Sequence, residues 1–389
     1  MTKPHYSSAF PVFLAFLAMG FADAAGPFVG LAKEQFHLSN FSAQLVTFTG
    51  FLMFGVLSLP MGVLQDRVGK KTVLLLGLCV MLAGILIPTL MGLSTFPFFL
   101  VTILLLGAGA TILQVAGNPI MRDVSPEGKY SRNLSLAQFV KAIGSLSGPV
   151  IPVVAARYFG ASWNVIFPIY SVAVVVTILA NLPLKVNEQR APDHQPATFG
   201  SSLGMLGNGY VAMMVLGLFL YVGAEVSVSS GIPLYLQERF HVDLNRIGLL
   251  GTGLFFLSLT IGRFLGGVLL TWMKPKAFFL LTCLLSLAGL LAMFLPSQTV
   301  AVAGFLLIGL GFANIFPLIF SIVIDKLPDH ANALSGLMVM AIVGAAIVPP
   351  IMGLVADGLK SVQLSFIVPL LCLVYITWTA LMNLRAARA

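Results

Sequence analysis

Apolar runs of about twenty residues follow one another along almost the whole chain. A run of this length is what a helix needs to cross a bilayer. Stretches such as "VLLLGLCVMLAGILI" contain no alternation of apolar and polar positions, whereas the strands of a membrane barrel would alternate. Because a helix satisfies its own backbone groups inside lipid, the pattern predicts an all-α membrane protein.

Charges and turn residues divide the pattern into twelve predicted spans. These spans are expected at 9–31, 41–64, 72–92, 97–121, 131–156, 162–183, 208–236, 244–271, 277–295, 299–324, 332–356 and 362–383. Because eleven spans follow the first one, we expect the first to be an uncleaved helix and not a signal peptide.

The chain repeats itself at an offset of about 200 residues. "NLSLAQFVKAIGSLSGPVI" and "NALSGLMVMAIVGAAIVPPI" share Gly144/Gly344 and Ser135/Ser335. "AKEQFHLS" after the first span is echoed by "LQERFHVD" after the seventh. The repeat predicts two six-helix, pseudo-symmetric halves of parallel orientation, at 1–183 and 208–389, joined by a polar cytoplasmic linker at 184–207.

Composition and charge agree with this topology. Hydrophobic residues make up 58% of the chain and charged residues only 9%. With both termini inside, fourteen Lys and Arg residues fall on the cytoplasmic side and five on the other, which is the asymmetry of a membrane protein. The net charge of +8 therefore reflects orientation in the membrane and not a nucleic-acid surface. We expect a multi-pass protein of the cell (inner) membrane that works as a monomer.

The loop between the second and third spans reads "GVLQDRVGKK" from Gly62. Asp66 and Arg67 could form charge-assisted bonds there, and Lys70 with its neighbour sets the orientation. Together with the two halves, this loop resembles the major facilitator superfamily, and the resemblance implies the twelve-helix fold of that superfamily. The loop is either a topological anchor alone or also a gate that holds the inner side closed. Its second-half counterpart, "GGVLLTWMKPK", lacks the acid.

Three further motifs resemble the fucose, glucose and galactose proton symporters of that superfamily. They are "GFADAAGPFVG" in the first span, "LQVAGNP" in the fourth and "NLSLAQ" in the fifth. The resemblance implies that Asp23 faces a central cavity and that Gln138 contacts sugar. The chain differs from the family at Gln114, where some members carry an acid, and at Lys141, where a small amide is common.

Four ionisable residues lie well inside predicted spans: Asp23, Lys141, Glu225 and Arg263. Charges at this depth are costly, so they normally pair and face the bundle interior. Lys141 lies too far along its helix from Arg132 to reach the membrane surface. We expect Asp23 to carry the proton, Glu225 to bind sugar or act as a second carrier, and Lys141 to set the proton affinity and contact substrate. Arg263 is expected to be structural, at the interface between the halves.

Neutral polar side chains at the same depth suit a hydroxyl-rich ligand. The set comprises Gln114, Asn118, Gln138 and Asn314, and Tyr221 is a candidate for stacking on sugar. A single buried amide is as often a bond between helices, so the prediction depends on the set.

The sequence therefore predicts a proton-coupled, hexose-like sugar symporter that works by alternating access and needs no cofactor beyond the proton gradient. The alternative is a carrier of organic anions or sugar acids, or a drug:proton antiporter. Lys141 could bind a carboxylate, and "GSLSGP" from Gly144 is similar to an antiporter motif. An enzyme is disfavoured because the sequence offers no metal-ligand or nucleophile constellation, and a receptor is disfavoured because we would expect it to add a sizeable soluble domain.

Overall fold

The computed structural model describes residues 9–23, 28, 31–32, 35–38, 40–186, 198–241 and 252–385. All regular secondary structure in these residues is helical, which confirms the predicted all-α class. The first six long helices are α1 (Ala9–Asp23), α2 (Asn40–Val68), α3 (Lys70–Met91), α4 (Phe96–Asp123), α5 (Tyr130–Phe159) and α6 (Ile166–Asn181).

The second half of the chain begins with a short helix, α7 (Phe199–Gly204). Its remaining helices are α8 (Gly209–Phe240), α9 (Thr252–Leu269), α10 (Pro275–Ala292), α11 (Gln298–Phe312), α12 (Ile315–Lys326), α13 (Ala331–Met340), α14 (Gly344–Leu359), α15 (Val362–Ser365) and α16 (Ile367–Arg385).

The helices follow the predicted spans closely. Among the described residues, ten helices are long and apolar enough to cross a membrane, and two shorter apolar helices, Ala9–Asp23 and Leu254–Leu269, occupy the first and eighth predicted spans. Residues 24–27 and 29–30 of the first span, 244–251 of the eighth and 187–197 of the linker lie outside the described residues. The structure is therefore consistent with twelve spans.

The tenth predicted span is interrupted in the structure. Helix α11 ends at Phe312 and α12 begins at Ile315. Pro317 has no N–H and its ring clashes with the carbonyl four residues earlier, at Ala313, which accounts for a break at this point. The side chain of Asn314 is anchored there by donating from Nδ2 to the carbonyl of Gly262 at 2.7 Å.

Small residues let the helices approach closely. A Cβ on Gly107 would collide with the carbonyl of Gly50, joining α4 to α2, and a Cβ on Gly289 would lie 2.7 Å from the carbonyl of Gly304, joining α10 to α11. In lipid, helix association depends on such close packing, since apolar contacts with neighbouring helices are no better than those with lipid tails.

Two compact units are formed by the described residues. One takes them from 1–130, 140–203 and 327–340, and the other from 131–139, 204–326 and 341–389. Each unit thus includes a short segment from the opposite half of the sequence, namely 131–139 or 327–340. The division of the chain into halves at 183 and 208 stays a prediction.

Candidate functional site

The end of α1 is held against α5 by two glycines. A Cβ on Gly20 would collide with the carbonyl of Lys141, and a Cβ on Gly144 would collide with the carbonyl of Leu17. The two backbones are therefore in direct contact, which only residues without a side chain allow. The crossing places the last residue of α1, Asp23, beside the middle of α5.

Asp23 lies in a small polar cluster within the unit that includes residues 1–130. The Nζ atom of Lys141 is 3.4 Å from Oδ2 of Asp23 and 3.4 Å from Oε1 of Gln114. Both distances exceed the roughly 2.7–2.9 Å of a strong charge-assisted bond, so the ammonium is shared between the two oxygens. The hydroxyl of Ser145 donates to Oδ2 of Asp23 at 2.7 Å. Asp23 remains 34% exposed, against 14% for Lys141.

A second ion pair lies in the other unit, between Glu225 of α8 and Arg263 of α9. The atoms Nη2 of Arg263 and Oε1 of Glu225 are 3.8 Å apart, with exposed fractions of 15% and 17%. Nε of Arg263 is buried without a hydrogen-bond partner among the described residues. This pair is loose, and its guanidinium retains unused donors.

Asp23 and Glu225 occupy equivalent places in the two halves. Gly144 packs against the carbonyl of Leu17, and Gly344 packs against the carbonyl of Phe219. Each acid lies six residues after that carbonyl. The repeat in the sequence therefore corresponds to a repeated helix crossing. The basic partners break the symmetry, since one comes from α5 and the other from α9.

Three of the predicted substrate amides have buried hydrogen-bonding atoms without a partner among the described residues. Both side-chain amide atoms of Asn118 and Nε2 of Gln138 are buried without a partner among the described residues. Asn314 uses its Nδ2 on the carbonyl of Gly262, while its Oδ1 is equally unpartnered within the described chain. Buried polar atoms are nearly always satisfied in native proteins, so orphaned ones point to a ligand, an ion or water.

Tyr221 lies one turn before Glu225 but is fully buried. Its hydroxyl donates to the carbonyl of Phe312 at 2.9 Å, and its ring meets that of Phe312 edge to face. Tyr221 therefore ties α8, the helix that carries Glu225, to the end of α11. Its ring is covered by protein.

Most of the predicted loop motif forms the last turns of α2 in the structure, and it binds the segment at 327–340. Oδ1 of Asp66 accepts from Nδ2 of Asn332 at 2.9 Å, and Nε2 of Gln65 donates to the backbone carbonyl of Asn332 at 3.0 Å. Gly62 packs against Gly336 one turn away. The side chain of Gln65, which lies next to Asp66, is fully buried.

The two basic residues predicted for this loop lie in different surroundings. Lys70 pairs with Asp123 at the end of α4, with Nζ and Oδ2 2.6 Å apart. Arg67 lies in the last turn of α2 and is exposed. Lys70 therefore ties α3 to α4 within one unit.

Sequence reasoning missed three residues that the structure places at these sites: Ser145, Asn332 and Asp123. Ser145 follows Lys141 by four positions on one helix, so the spacing of helix neighbours could have found it. Asn332 and Asp123 are distant in sequence from their partners, and the sequence contains no signal for those contacts.

These observations define a multi-pass membrane protein of repeated helical halves, with one ion pair carried on the first helix of each half. The chain belongs to the Major Facilitator Superfamily, whose family model matches residues 12–350. It is accordingly a transporter and not an enzyme.

Relatives and solved structures agree with this assignment. The chain is 28% identical over 365 residues to a protein named glucose/galactose transporter from Brucella abortus, covering 91% of this chain and 88% of the relative. It is 24% identical over 373 residues to the L-fucose-proton symporter of Escherichia coli, covering 87% and 84%. The transporter FucP in the outward conformation matches with a TM-score of 0.83 and 23% identity, covering 97% and 99%. These comparisons place the fold among the transporters of the superfamily.

Proposed function

We propose that the chain is a proton-coupled symporter of a hexose-like sugar that works by alternating access of its two halves. The observation that carries the proposal is the cluster around Asp23, where a partly exposed carboxylate shares its cation with a neutral amide. The names of relatives, a glucose/galactose transporter and an L-fucose-proton symporter, support the same substrate class.

Asp23 is the better candidate for the proton carrier. Arg263 stays cationic at every physiological pH, so Glu225 always has a charged partner. The ammonium of Lys141 divides its contacts, since it lies 3.4 Å from an oxygen of Asp23 and 3.4 Å from an oxygen of Gln114. Asp23 also has about twice the exposed fraction of Glu225. Glu225 is left to bind sugar or to act as a second carrier.

The sugar is proposed to be bound by neutral amides and by the looser ion pair. Gln138, Asn118 and Asn314 have donors or acceptors without a partner in the described part of the chain, and such groups suit hydroxyls. Gln114 and Lys141 add an amide and an ammonium. A sugar hydroxyl could donate to Glu225 while accepting from Arg263, because their atoms are 3.8 Å apart. Tyr221 is fully buried and is proposed to hold α8 in place through its bond to the carbonyl of Phe312.

A gate on one side of the membrane is proposed to include Asp66 with Asn332. Opening of that side would break the bonds from Asn332 to Asp66 and from Gln65 to Asn332. Lys70 is proposed to hold α3 and α4 together during that movement through Asp123, and Arg67 to orient the loop. From the positive-inside rule, we propose that this side is cytoplasmic. Both termini are proposed to lie on the same side, and the protein is proposed to be in the cell (inner) membrane. The transporter is proposed to act as a monomer without a cofactor.

A carrier of sugar acids is the second candidate. Lys141 keeps 14% of its side chain exposed, and its ammonium contacts with described residues are 3.4 Å long, so the ammonium is available to a substrate carboxylate. Such a substrate would replace Asp23 as the partner of Lys141.

The test uses the full chain in proteoliposomes with a pH-sensitive dye inside. D-glucose, D-galactose and L-fucose are added in turn, and the symport proposal expects at least one of them to drive protons inward. Asp23→Asn should abolish accumulation driven by a proton gradient while sugar counterflow continues. Asp357→Asn, which alters an exposed acid, is the matched control. Proton uptake with glucuronate but with none of the neutral sugars would overturn the first candidate in favour of the second.

A further inference from the structure

Ser145 has one hydroxyl hydrogen and two acceptors within reach. Its Oγ is 2.7 Å from Oδ2 of Asp23 and 3.1 Å from the carbonyl of Lys141, one turn earlier on its own helix. A serine hydroxyl donates only one hydrogen bond but accepts two. The hydroxyl therefore has to choose between the carboxylate and the backbone.

The position of this hydroxyl relative to Asp23 is fixed by the helix crossing. Ser145 follows Gly144, and a Cβ on Gly20 would lie 2.7 Å from the backbone N of Ser145. Asp23 follows Gly20 by three residues. Neither helix can slide past the other without a backbone collision, so the distance between the hydroxyl and the carboxylate is a property of the crossing.

We propose that Ser145 is a positioning residue that changes its hydrogen bond with the protonation state of Asp23. This proposal rests on Asp23 as the proton carrier of the proposed symporter. When Asp23 is ionised, the hydroxyl of Ser145 donates to Oδ2. When a proton binds to Oδ2, the new O–H of Asp23 donates to Oγ of Ser145, and the serine hydrogen rotates to the carbonyl of Lys141. No covalent bond of the serine breaks.

The same event alters the partners of Lys141. Its ammonium loses the ionic attraction of Asp23 when the carboxylate is neutralised, while Oε1 of Gln114 stays 3.4 Å away. Asp23 stays in place because its new O–H is bonded to Ser145. The ammonium of Lys141 is released, because it no longer has an ionised partner. The proton thereby frees a cationic donor for the substrate, which links proton binding to sugar binding at one helix crossing.

The other described groups around Asp23 are neutral. Helix α4 contributes the neutral amide of Gln114, which accepts a hydrogen bond from Lys141. Helix α6 contributes Tyr170, whose ring stacks on Phe21 with centroids 3.9 Å apart and whose hydroxyl is 2.8 Å from that of Ser147. Among the described residues, Lys141 supplies the charge next to Asp23 and Ser145 supplies the direct hydroxyl bond.

The experiment measures sugar counterflow and proton-driven uptake between pH 5 and 9 in proteoliposomes that contain the full chain. Ser145→Ala removes a donor that favours the ionised carboxylate, and a charge-assisted bond is stronger than a neutral one. The pH midpoint of uptake should therefore rise by about one unit. Ser145→Thr keeps the hydroxyl and should restore the wild-type midpoint. Measurable counterflow shows that a variant is folded.

Ser286→Ala is the matched control, because Ser286 also bonds the carbonyl four residues earlier, at 2.9 Å from Thr282. It should leave the midpoint unchanged. If Ser145→Ala does not fold, Ser145→Cys gives the same comparison, since a thiol is a weak donor. A wild-type pH midpoint of uptake in folded Ser145→Ala would overturn the role of Ser145. If transport by Asp23→Asn is at the same time insensitive to pH, Asp23 remains the proton carrier. Normal proton-driven accumulation in Asp23→Asn would instead overturn the carrier itself.

Discussion

At the scale of single residues, the chemistry depends on which cation accompanies which acid. Asp23 and Glu225 occupy equivalent positions, yet one is paired with a lysine and the other with an arginine. A lysine is a compact charge on a flexible stem, whereas a guanidinium holds its charge in a fixed planar fork. The lysine pair is therefore better suited to exchange partners during a transport cycle.

The pairing predicts non-additive stability at Asp23 and Lys141. Lys141→Ala leaves the carboxylate without its cation and should lower the melting temperature in detergent by a few degrees. We expect a loss of about 1–2 kcal/mol, less than the roughly 3–5 kcal/mol for breaking a fully buried pair, because Asp23 is one-third exposed. Adding Asp23→Asn should recover part of that loss. Strictly additive effects in the double variant would contradict a direct interaction.

At the scale of helices, close crossings decide where these residues meet. The contact of Gly144 with α1 has a counterpart at Gly344 with α8. Each crossing lies about two turns before an acid along the first helix of its half. A side chain at either glycine would push the acid away from its surroundings, so the crossings are as important to the site as the polar residues.

Gly144→Ala should therefore be severely disruptive. Its Cβ would overlap backbone atoms of Leu17, which cannot rotate away, and overpacking of this kind costs about 1–3 kcal/mol or more. We expect proton-driven uptake to fall at least tenfold and the melting temperature to drop. Gly353→Ala is the control, because a Cβ on Gly353 would meet no atom of the described residues within 4 Å beyond its own helix backbone and chain neighbours. Equal behaviour of the two variants in uptake and melting would contradict the importance of the crossing.

At the scale of the whole molecule, two short segments bind helices from the opposite half of the sequence. Residues 327–340 bind α2 through Asn332. Residues 131–139 meet α12, where the hydroxyls of Ser131 and Ser321 are 2.7 Å apart. The contact between Ser131 and Ser321 is buried, the contacts of Asn332 are part-buried, and each lies within its own compact unit. In a transporter of this superfamily, we expect them to break and re-form in each cycle.

A reversible cross-link tests this expectation. With the three native cysteines replaced, Ser131→Cys combined with Ser321→Cys should form a disulfide under mild oxidation, because the two hydroxyls already touch. The cross-linked protein should lose at least nine-tenths of its sugar counterflow and regain it after reduction. Each single cysteine variant serves as a control. Undiminished counterflow in fully cross-linked protein would show that this contact persists through the cycle.

The apolar pattern of the sequence was enough to predict the all-α membrane class, the position of the apolar helices and the presence of four ionisable residues within the predicted spans. This was possible because crossing a membrane is a local requirement: each segment must be long and apolar enough, and must satisfy its own backbone groups. The ionisable residues stand out for the same reason, since they violate that requirement. The repeat also placed Gly144 and Gly344 in equivalent positions before any contact was known.

Which of those residues meet depends on the tertiary packing of the helices. The pairing of Asp23 with Lys141, the hydroxyl of Ser145 on the same carboxylate and the bond from Asn332 to Asp66 depend on helix crossings between segments more than one hundred residues apart. The break at Asn314 likewise combines a local proline with a bond to another helix. Such contacts are determined by how each helix is rotated about its axis and how the helices pack against each other. When every face of a helix is apolar, the hydrophobic pattern does not indicate which face points into the bundle.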